Sequence, residues 1–275
     1  MNLIKLLDSI CPDTENKEQE DRFYSRREAF RQFGDLSKKL ALAAVPLSIL
    51  NSIPTVAKAS TESLIDVLNY ALTLEHLEYR YYQTGLDSGV IMSDERPIFQ
   101  KIRDHELAHV NFLTEVIANV LNGTPVSEPS FDFTAGGNFM PFDDYPTFLA
   151  LAQAFEDTGV RAYKGQAANV MESDVVLTAA LSIHSVEARH ASMVRRLRTK
   201  KGMDTVKGWI TGNDIGTLPA AAAGIYAGEE NISHAGVNVV NLTGIDQEAV
   251  SEGWDEPLTM EQTLGIAGLF LSTSN

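Results

Sequence analysis

The chain has 275 residues, 44% of them hydrophobic, with 37 acidic side chains against 22 basic ones and a net charge of −15. That length can bury a sizeable core, read here as one main domain, and the acidic excess beyond residue 60 argues against duplex nucleic acid or an anionic membrane surface as a partner. The single cysteine, Cys11, permits neither an intrachain disulfide framework nor a thiolate metal site, so any metal must use oxygen and imidazole ligands.

Residues 1–59 read as an address. Ser25-Arg26-Arg27, Phe30 and Lys38-Lys39 precede an apolar run over residues 40–50 and then Ala57-Lys58-Ala59, a basic stretch, an apolar stretch and a small-x-small cleavage signature in order. The paired arginines resemble a twin-arginine export signal, with the Phe one place later than usual and a long basic stretch. The expectation is an exported, periplasmic protein cleaved near Ala59. The competing reading is a basic amphipathic helix with a membrane anchor. Pro46, Asn51 and Pro54 interrupt the apolar run, which falls short of the roughly 20 residues a span needs, so no transmembrane segment is expected in the mature chain.

Beyond Ser60 the pattern is helical. A first helix is expected from Thr61, a capping residue, to Gly85, and a second from about Ser93 to Asn122-Gly123. Residues 123–143, rich in Gly, Pro and Phe, are long enough for a crossover between non-adjacent ends of a bundle. The third helix opens at Asp144, with Pro146 in its first turn, and ends near Met171; the fourth runs from about Ser173 to Gly202. Arg195, Arg196, Arg198, Lys200 and Lys201 read as the solvated, cation-rich end of that helix. From Met203, six Gly and Pro residues between 208 and 228 punctuate short apolar stretches, and Thr259 caps a last helix to about Leu271. The extension is expected to cover one end of the bundle or to serve an oligomer contact. The domains are thus an export signal (1–59), an all-α antiparallel four-helix bundle (60–202) and an extension packing on it, ending in a fifth helix (203–275).

Every helix carries carboxylate in the middle of its apolar stripe. The stripes are Leu68, Ala71, Glu75, Glu78 and Tyr82 in the first helix, and Ile102, Glu106, His109 and Leu113 in the second. The third has Ala152, Glu156, Gly159 and Tyr163, and the fourth has Ile183, Glu187, His190 and Val194, all at spacings of three and four. Glu75 to Glu156, Glu106 to Glu187, His109 to His190 and Tyr82 to Tyr163 are each 81 residues apart, so the first helix pair is repeated as the second. Buried carboxylates are costly unless a cation compensates them. Glu-x-x-His projects both ligands to one side of a helix, and two such pairs with two lone glutamates, Glu75 and Glu156, offer six ligands to two divalent cations. The lone glutamates are expected to bridge, and the Glu-x-x-His pairs to be terminal.

This set resembles the ferritin-like superfamily, on Glu75 in Leu-Glu-His-Leu-Glu-Tyr, Glu106 and His109 in His-Glu-Leu-Ala-His, Glu156 in Ala-Phe-Glu-Asp, and Glu187 and His190 in Val-Glu-Ala-Arg-His. The whole chain, with its signal and the tail segment 256–262, is similar to bacterial exported ferritin-like proteins of the desiccation-related type. The resemblance implies a metal site for two iron or manganese ions acting on oxygen, peroxide or ferrous iron, as a ferroxidase, peroxidase or catalase-like oxidoreductase. The alternative is a non-catalytic structural or stress-protective scaffold. A homo-oligomer stays open, but the tail and signal are unlike those of cage-forming ferritins.

Glu78, opposite Gly159 in the repeat, is a candidate seventh ligand, as in the rubrerythrin pattern, or else a group supporting the ligands. Rubrerythrin's cysteine-bound iron has no counterpart. His76 and His105, adjacent to ligands in sequence, point about 100 degrees away, toward the surface or a neighbouring face. His184 lies one position off its stripe, and His234 sits in a loop without an evident partner. Tyr82 and Tyr163 read as packing residues with hydrogen-bonded tips rather than redox relays.

Overall fold

The computed structural model describes residues 61–272; the export signal expected over residues 1–59 lies outside them. Four long helices dominate: α1 (Thr61–Ser88), α2 (Arg96–Glu115, continued by a π-helical turn Val116–Val120), α3 (Tyr145–Gln166, then a 3-10 turn Ala167–Val170) and α4 (Asp174–Lys200). Asp144 caps α3 by accepting from Thr147 N, and Ser173 caps α4 by accepting from Val176 N, so both expected starts hold to the residue. Asn122 closes α2 in the left-handed region (φ 55°), as its position suggested. At its other end α2 begins three residues later than expected, with Pro97 in its first turn.

Gly85 does not end α1, which continues to Ser88 before Gly89 turns left-handed (φ 83°). Gly85 is small for a different reason: a Cβ there would run into the Phe148 ring of α3.

The contacts fix the direction of each helix. The α2 end reaches the α1 start, where Gly123 lies against Ile65, while Tyr82 and Phe99 stack at the opposite end, so α1 and α2 are antiparallel. Asp157 meets Arg195 and Gln153 meets Arg198, making α3 antiparallel to α4; Tyr82 meets Glu156 and Glu75 meets Tyr163, making α3 antiparallel to α1 as well. Helix α3 therefore starts at the far end of the bundle from the end of α2, and the connection between them crosses its whole length. It climbs α1: Val126 N donates to Asn69 Oδ1 (2.7 Å), Glu128 pairs with Arg80, and Phe133 packs edge-on against Tyr81.

The extension runs through α5 (Ala223–Tyr226), a small hairpin of β1 (Ser233–His234) and β2 (Val237–Asn238), α6 (Val239–Thr243), α7 (Gln247–Ser251) and α8 (Met260–Ala267, with a 3-10 turn Gly268–Phe270). Thr259 caps α8 in a reciprocal capping box with Gln262. The extension lies along the outer side of α3 rather than over an end of the bundle. Arg161 pairs with Glu229 (2.7 Å) and donates to the carbonyls of Ala227 and Glu256, and Leu258 N donates to Arg161 O. With the bundle on one side and the extension on the other, α3 is buried all round from Leu151 to Tyr163.

The same cover overturns the reading of the cation-rich end of α4. Arg196 and Lys200 are exposed, but Arg195 and Arg198 are 1% and 2% exposed. Arg195 makes a two-pronged pair with Asp157 (2.9 and 2.6 Å), and Arg198 pairs with Asp204 (2.9 Å). Among the described residues, no helix is long and apolar enough to cross a membrane.

Candidate metal centre

The four stripes meet midway along the bundle. Glu75, Glu106, His109, Glu156 and Glu187 are fully buried, and His190 is 4% exposed. Their ligand atoms form two groups, each within 4.8 Å: Glu75, Glu106, His109 and Glu187, and Glu106, Glu156, Glu187 and His190. All six residues singled out by spacing are thereby brought together.

The two imidazoles organise the groups. His109 Nδ1 lies 3.0 Å from Glu75 Oε2, 3.0 Å from Glu106 Oε2 and 3.1 Å from Glu187 Oε1. His190 Nδ1 lies 2.7 Å from Glu106 Oε1, 3.4 Å from Glu156 Oε2 and 3.8 Å from Glu187 Oε2. Glu106 and Glu187 thus turn one oxygen to each imidazole, while Glu75 and Glu156 serve one side each. This reverses the expected division of roles. The shared carboxylates are those of the Glu-x-x-His pairs, because α2 and α4 place them between the two histidines, whereas the lone glutamates are drawn outward by tyrosines.

Those tyrosines obey the internal repeat. Tyr82 OH donates to Glu156 Oε1 (2.5 Å) and Tyr163 OH donates to Glu75 Oε1. Each hydroxyl takes the outer oxygen of a lone glutamate and leaves the inner one facing an imidazole. They are hydrogen-bonded packing residues, as expected, but what they hold is the candidate ligands themselves.

The electrostatics are those of a cluster short of positive charge. Burial pushes the Glu75 carboxyl up to about 8 and Glu156 well above the usual range, against the pull of the neighbouring imidazoles. For Glu106 and Glu187 burial also acts upward, but the contacts with His109 and His190 outweigh it and hold both below the usual range. Burial favours neutral imidazoles, yet the surrounding carboxylates raise His109 and His190 well above theirs. One ring nitrogen cannot satisfy three carboxylates, and among the described residues Glu106 Oε1, Glu156 Oε2, both Glu187 oxygens and His190 Nδ1 have no hydrogen-bond partner. Orphaned buried oxygens and nitrogens in two N,O-donor groups fit a pair of divalent cations.

Glu78, 3% exposed, belongs to neither group. Burial, then the charges of Glu187, Glu156, Glu106 and Glu75, push its carboxyl well above the usual range. A Cβ on Gly159 would sit 3.0 Å from Glu78 Oε1 and 3.7 Å from Glu187 Oε2, so the glycine makes room for the extra carboxylate beside the cluster.

The other histidines fall out differently from the sequence reading. His105 stays half-buried against the site, its Nδ1 2.9 Å from His190 Nε2. No spacing rule points to it, since the contact depends on how α2 and α4 are juxtaposed. His76 is buried beneath the crossover near Val126 and Glu128, and burial holds it below the ordinary imidazole range. His184 is half-buried, and burial holds its imidazole below the ordinary range. His234 stacks on Trp254 at 4.1 Å and faces Glu256 at 3.6 Å.

Comparison with known families gives a family model described as a ferritin-like domain, matching residues 63–200, half of the chain and all four bundle helices. The chain belongs to this ferritin-like domain family. No curated protein matches it.

Proposed function

We propose that this ferritin-like protein is exported and holds two divalent metal ions, iron or manganese, that it uses on oxygen, peroxide or ferrous iron. The observation that carries the reading is the pair of overlapping ligand groups, in which Glu106 and Glu187 each offer one oxygen to either side. Two bound cations would balance the buried carboxylates and supply Lewis-acid and redox chemistry.

The chain's own part is positioning. Glu75 with His109 would complete one position, and Glu156 with His190 the other. Tyr163 and Tyr82 hold the outer oxygens of the two lone glutamates, and His105 orients the His190 ring from its far nitrogen. Tyr81, Tyr82, Phe99 and Phe148, all fully buried, stack at one end of the ligand cluster and keep bulk water from that end. Glu78 Oε1, in the space left by Gly159, is a further carboxylate that can ligate or hold a proton beside Glu187.

The twin-arginine-like stretch and the 256–262 segment support the exported, desiccation-related type. The mature N-terminus of protein recovered from the periplasm tests export, with cleavage near Ala59 expected. For the metal, the test is elemental mass spectrometry on protein purified without chelator, followed by turnover of peroxide, oxygen and ferrous iron. About two iron or manganese ions per chain with turnover is the expected result. Metal without turnover selects the scaffold reading, which the origin of the ligands on all four helices also suits. Less than about a tenth of an ion after reconstitution overturns both metal readings.

A further inference from the structure

The six candidate ligands lie deep in the bundle, yet their burial is not uniform. Glu75, Glu106, His109, Glu156 and Glu187 have no exposed surface, while His190 keeps 4%. Its Nδ1 faces the carboxylates, and its Nε2, on the far side of the ring, meets His105 Nδ1 at 2.9 Å. The two rings are nearly parallel, with centroids 5.2 Å apart, and His105 is itself partly exposed. A single ring thus stands between solvent and the His190 ligand.

Among the described residues, the rest of the bundle offers no equal approach. Helix α1 packs along α2 and α3 along α4, but the backbones of α2 and α4 keep farther apart, so side chains close the space between them. The crossover bonds along α1, and the extension along α3 and the end of α4 from Arg195 on. Buried aromatic rings stack at one end of the cluster. The internal repeat supplies a control: the place of His105 is taken, 81 residues on, by Val186, which is 1% exposed, and His109 has no exposed surface. One other gap reaches the cluster, beneath α8. It is lined chiefly by Leu74, Leu77, Phe155, Ile266 and Ala267 around Glu78, and its volume of about 10 Å³ has room for about one water. Such a wall would strip a cation of its hydration and return nothing before the carboxylate is reached. An imidazole, by contrast, can both fill an opening and ligate a divalent ion.

We propose that divalent ions reach the centre between α2 and α4, and that the His105 ring is the plug of this entrance, swinging to another rotamer to admit an ion to His190. The proposal rests on the metal reading above and adds the route and the residue that controls it. The bulk of the ring, not its bond to His190, is the obstacle, which sets His105→Ala apart from His105→Phe. Both remove the nitrogen that meets His190 and should weaken that position alike. Only alanine removes the plug.

The test is stopped-flow loading of the metal-free full chain with Co2+, followed by its visible absorption. His105→Ala should load about tenfold faster than the unaltered chain, as where a side-chain swing rather than diffusion limits entry, and His105→Phe no faster. Uptake of both ions should respond, although His105 touches a ligand of one position only. Ala267→Leu, which narrows the gap beneath α8, should leave the rate unchanged. Circular dichroism checks folding, and His105→Leu replaces His105→Phe should the latter not fold. Hydroxyl-radical footprinting of the metal-free chain gives a reading that needs no metal. Oxidation of His190 should rise in His105→Ala and stay low in the unaltered chain and in His105→Phe, with His109 protected in all three. Equal loading rates for the two His105 variants would leave the residue a positioning role only and overturn the proposal. So would slower loading in Ala267→Leu, which would put the entrance beneath α8, or His190 oxidation that His105→Ala leaves unchanged. No uptake of Co2+ by the unaltered chain would overturn the metal reading and the route with it; the footprint tells that failure apart, since it still locates the opening.

Discussion

Replacing Glu187 by alanine removes a donor from both candidate metal positions at once, because its Oε1 is 3.1 Å from His109 Nδ1 and its Oε2 3.8 Å from His190 Nδ1. Replacing Glu75 removes one only, since its inner oxygen faces His109 and its outer one is held by Tyr163. Partners that merely orient a ligand are worth about 10- to 100-fold in affinity, so a direct donor is taken as about a thousandfold, or roughly 4 kcal/mol. With free metal at about 100 times the unaltered dissociation constant, a position weakened that much is about one-tenth filled. Glu187→Ala and Glu106→Ala should then retain about 0.2 ion per chain, and Glu75→Ala and Glu156→Ala about 1.1. Equilibrium dialysis followed by elemental mass spectrometry reads these values, with far-ultraviolet circular dichroism confirming that the helices persist. If Glu75→Ala empties the protein as fully as Glu187→Ala, or if Glu187→Ala keeps one full ion, the shared-carboxylate geometry is wrong.

Gly165→Ala would drive a Cβ into the carbonyl oxygen of Leu258, a backbone atom that cannot swing aside, and should cost about 1–3 kcal/mol while shifting Trp254 emission to the red as the extension loosens. Unchanged emission and melting temperature would show that the extension does not rest there. Asp157→Asn leaves the Arg195 guanidinium buried without its charge partner and should lower the urea unfolding free energy by about 3 kcal/mol. Metal affinity should rise with pH: carboxylates hold His109 and His190 protonated, and burial keeps a proton on Glu75 up to about 8, so each ion must displace protons that are progressively absent as pH increases. Competition against a chelator at pH 6 and pH 7.5 should show tighter binding at the higher value, and equal affinities would refute this. His105→Val, which copies the residue at the matching place in α4, should weaken one of the two positions about 10- to 100-fold and spare the other; uniform weakening of both would count against a contact specific to His190.

The candidate ligands were legible because a helix face is a local property: spacings of three and four put Glu106 above His109 whatever the rest of the chain does. The repeat at 81 residues added the pairing of helices, and Asp144, Ser173 and Thr259 marked helix starts through their own hydrogen bonds. What could not be read depends on distances between helices. Which glutamate is shared follows from how closely α2 and α4 approach, and His105 enters the site by the same approach. Arg195 and Arg198 looked solvated because Asp157 and Asp204 announce themselves only once α3 and the extension are in place. Gly85 was taken for a helix end since glycine serves both to stop helices and to admit a neighbour, and here Phe148 is the neighbour.

The internal repeat also explains why the extension lies where it does. Arg80 on α1 and Arg161 on α3 occupy equivalent places, 81 residues apart, and each binds the segment that covers its helix: Arg80 takes Glu128 of the crossover, Arg161 takes Glu229 of the extension. The next equivalent pair diverges, but in the same sense, with His76 beneath the crossover and Asp157 bonded to Tyr226 of the extension. Each helix that supplies a lone glutamate therefore has its outer face closed by the chain that follows its own pair. The inner faces stay nearly symmetric and keep the ligands in register. The departures from symmetry, Glu78 against Gly159 and His105 against Val186, cluster around Glu187 and His190. A duplicated helix pair alone would give two equivalent candidate metal positions. These two departures make the two candidate positions unequal, with the His190 side backed by a half-buried imidazole and His109 Nε2 buried without a partner among the described residues.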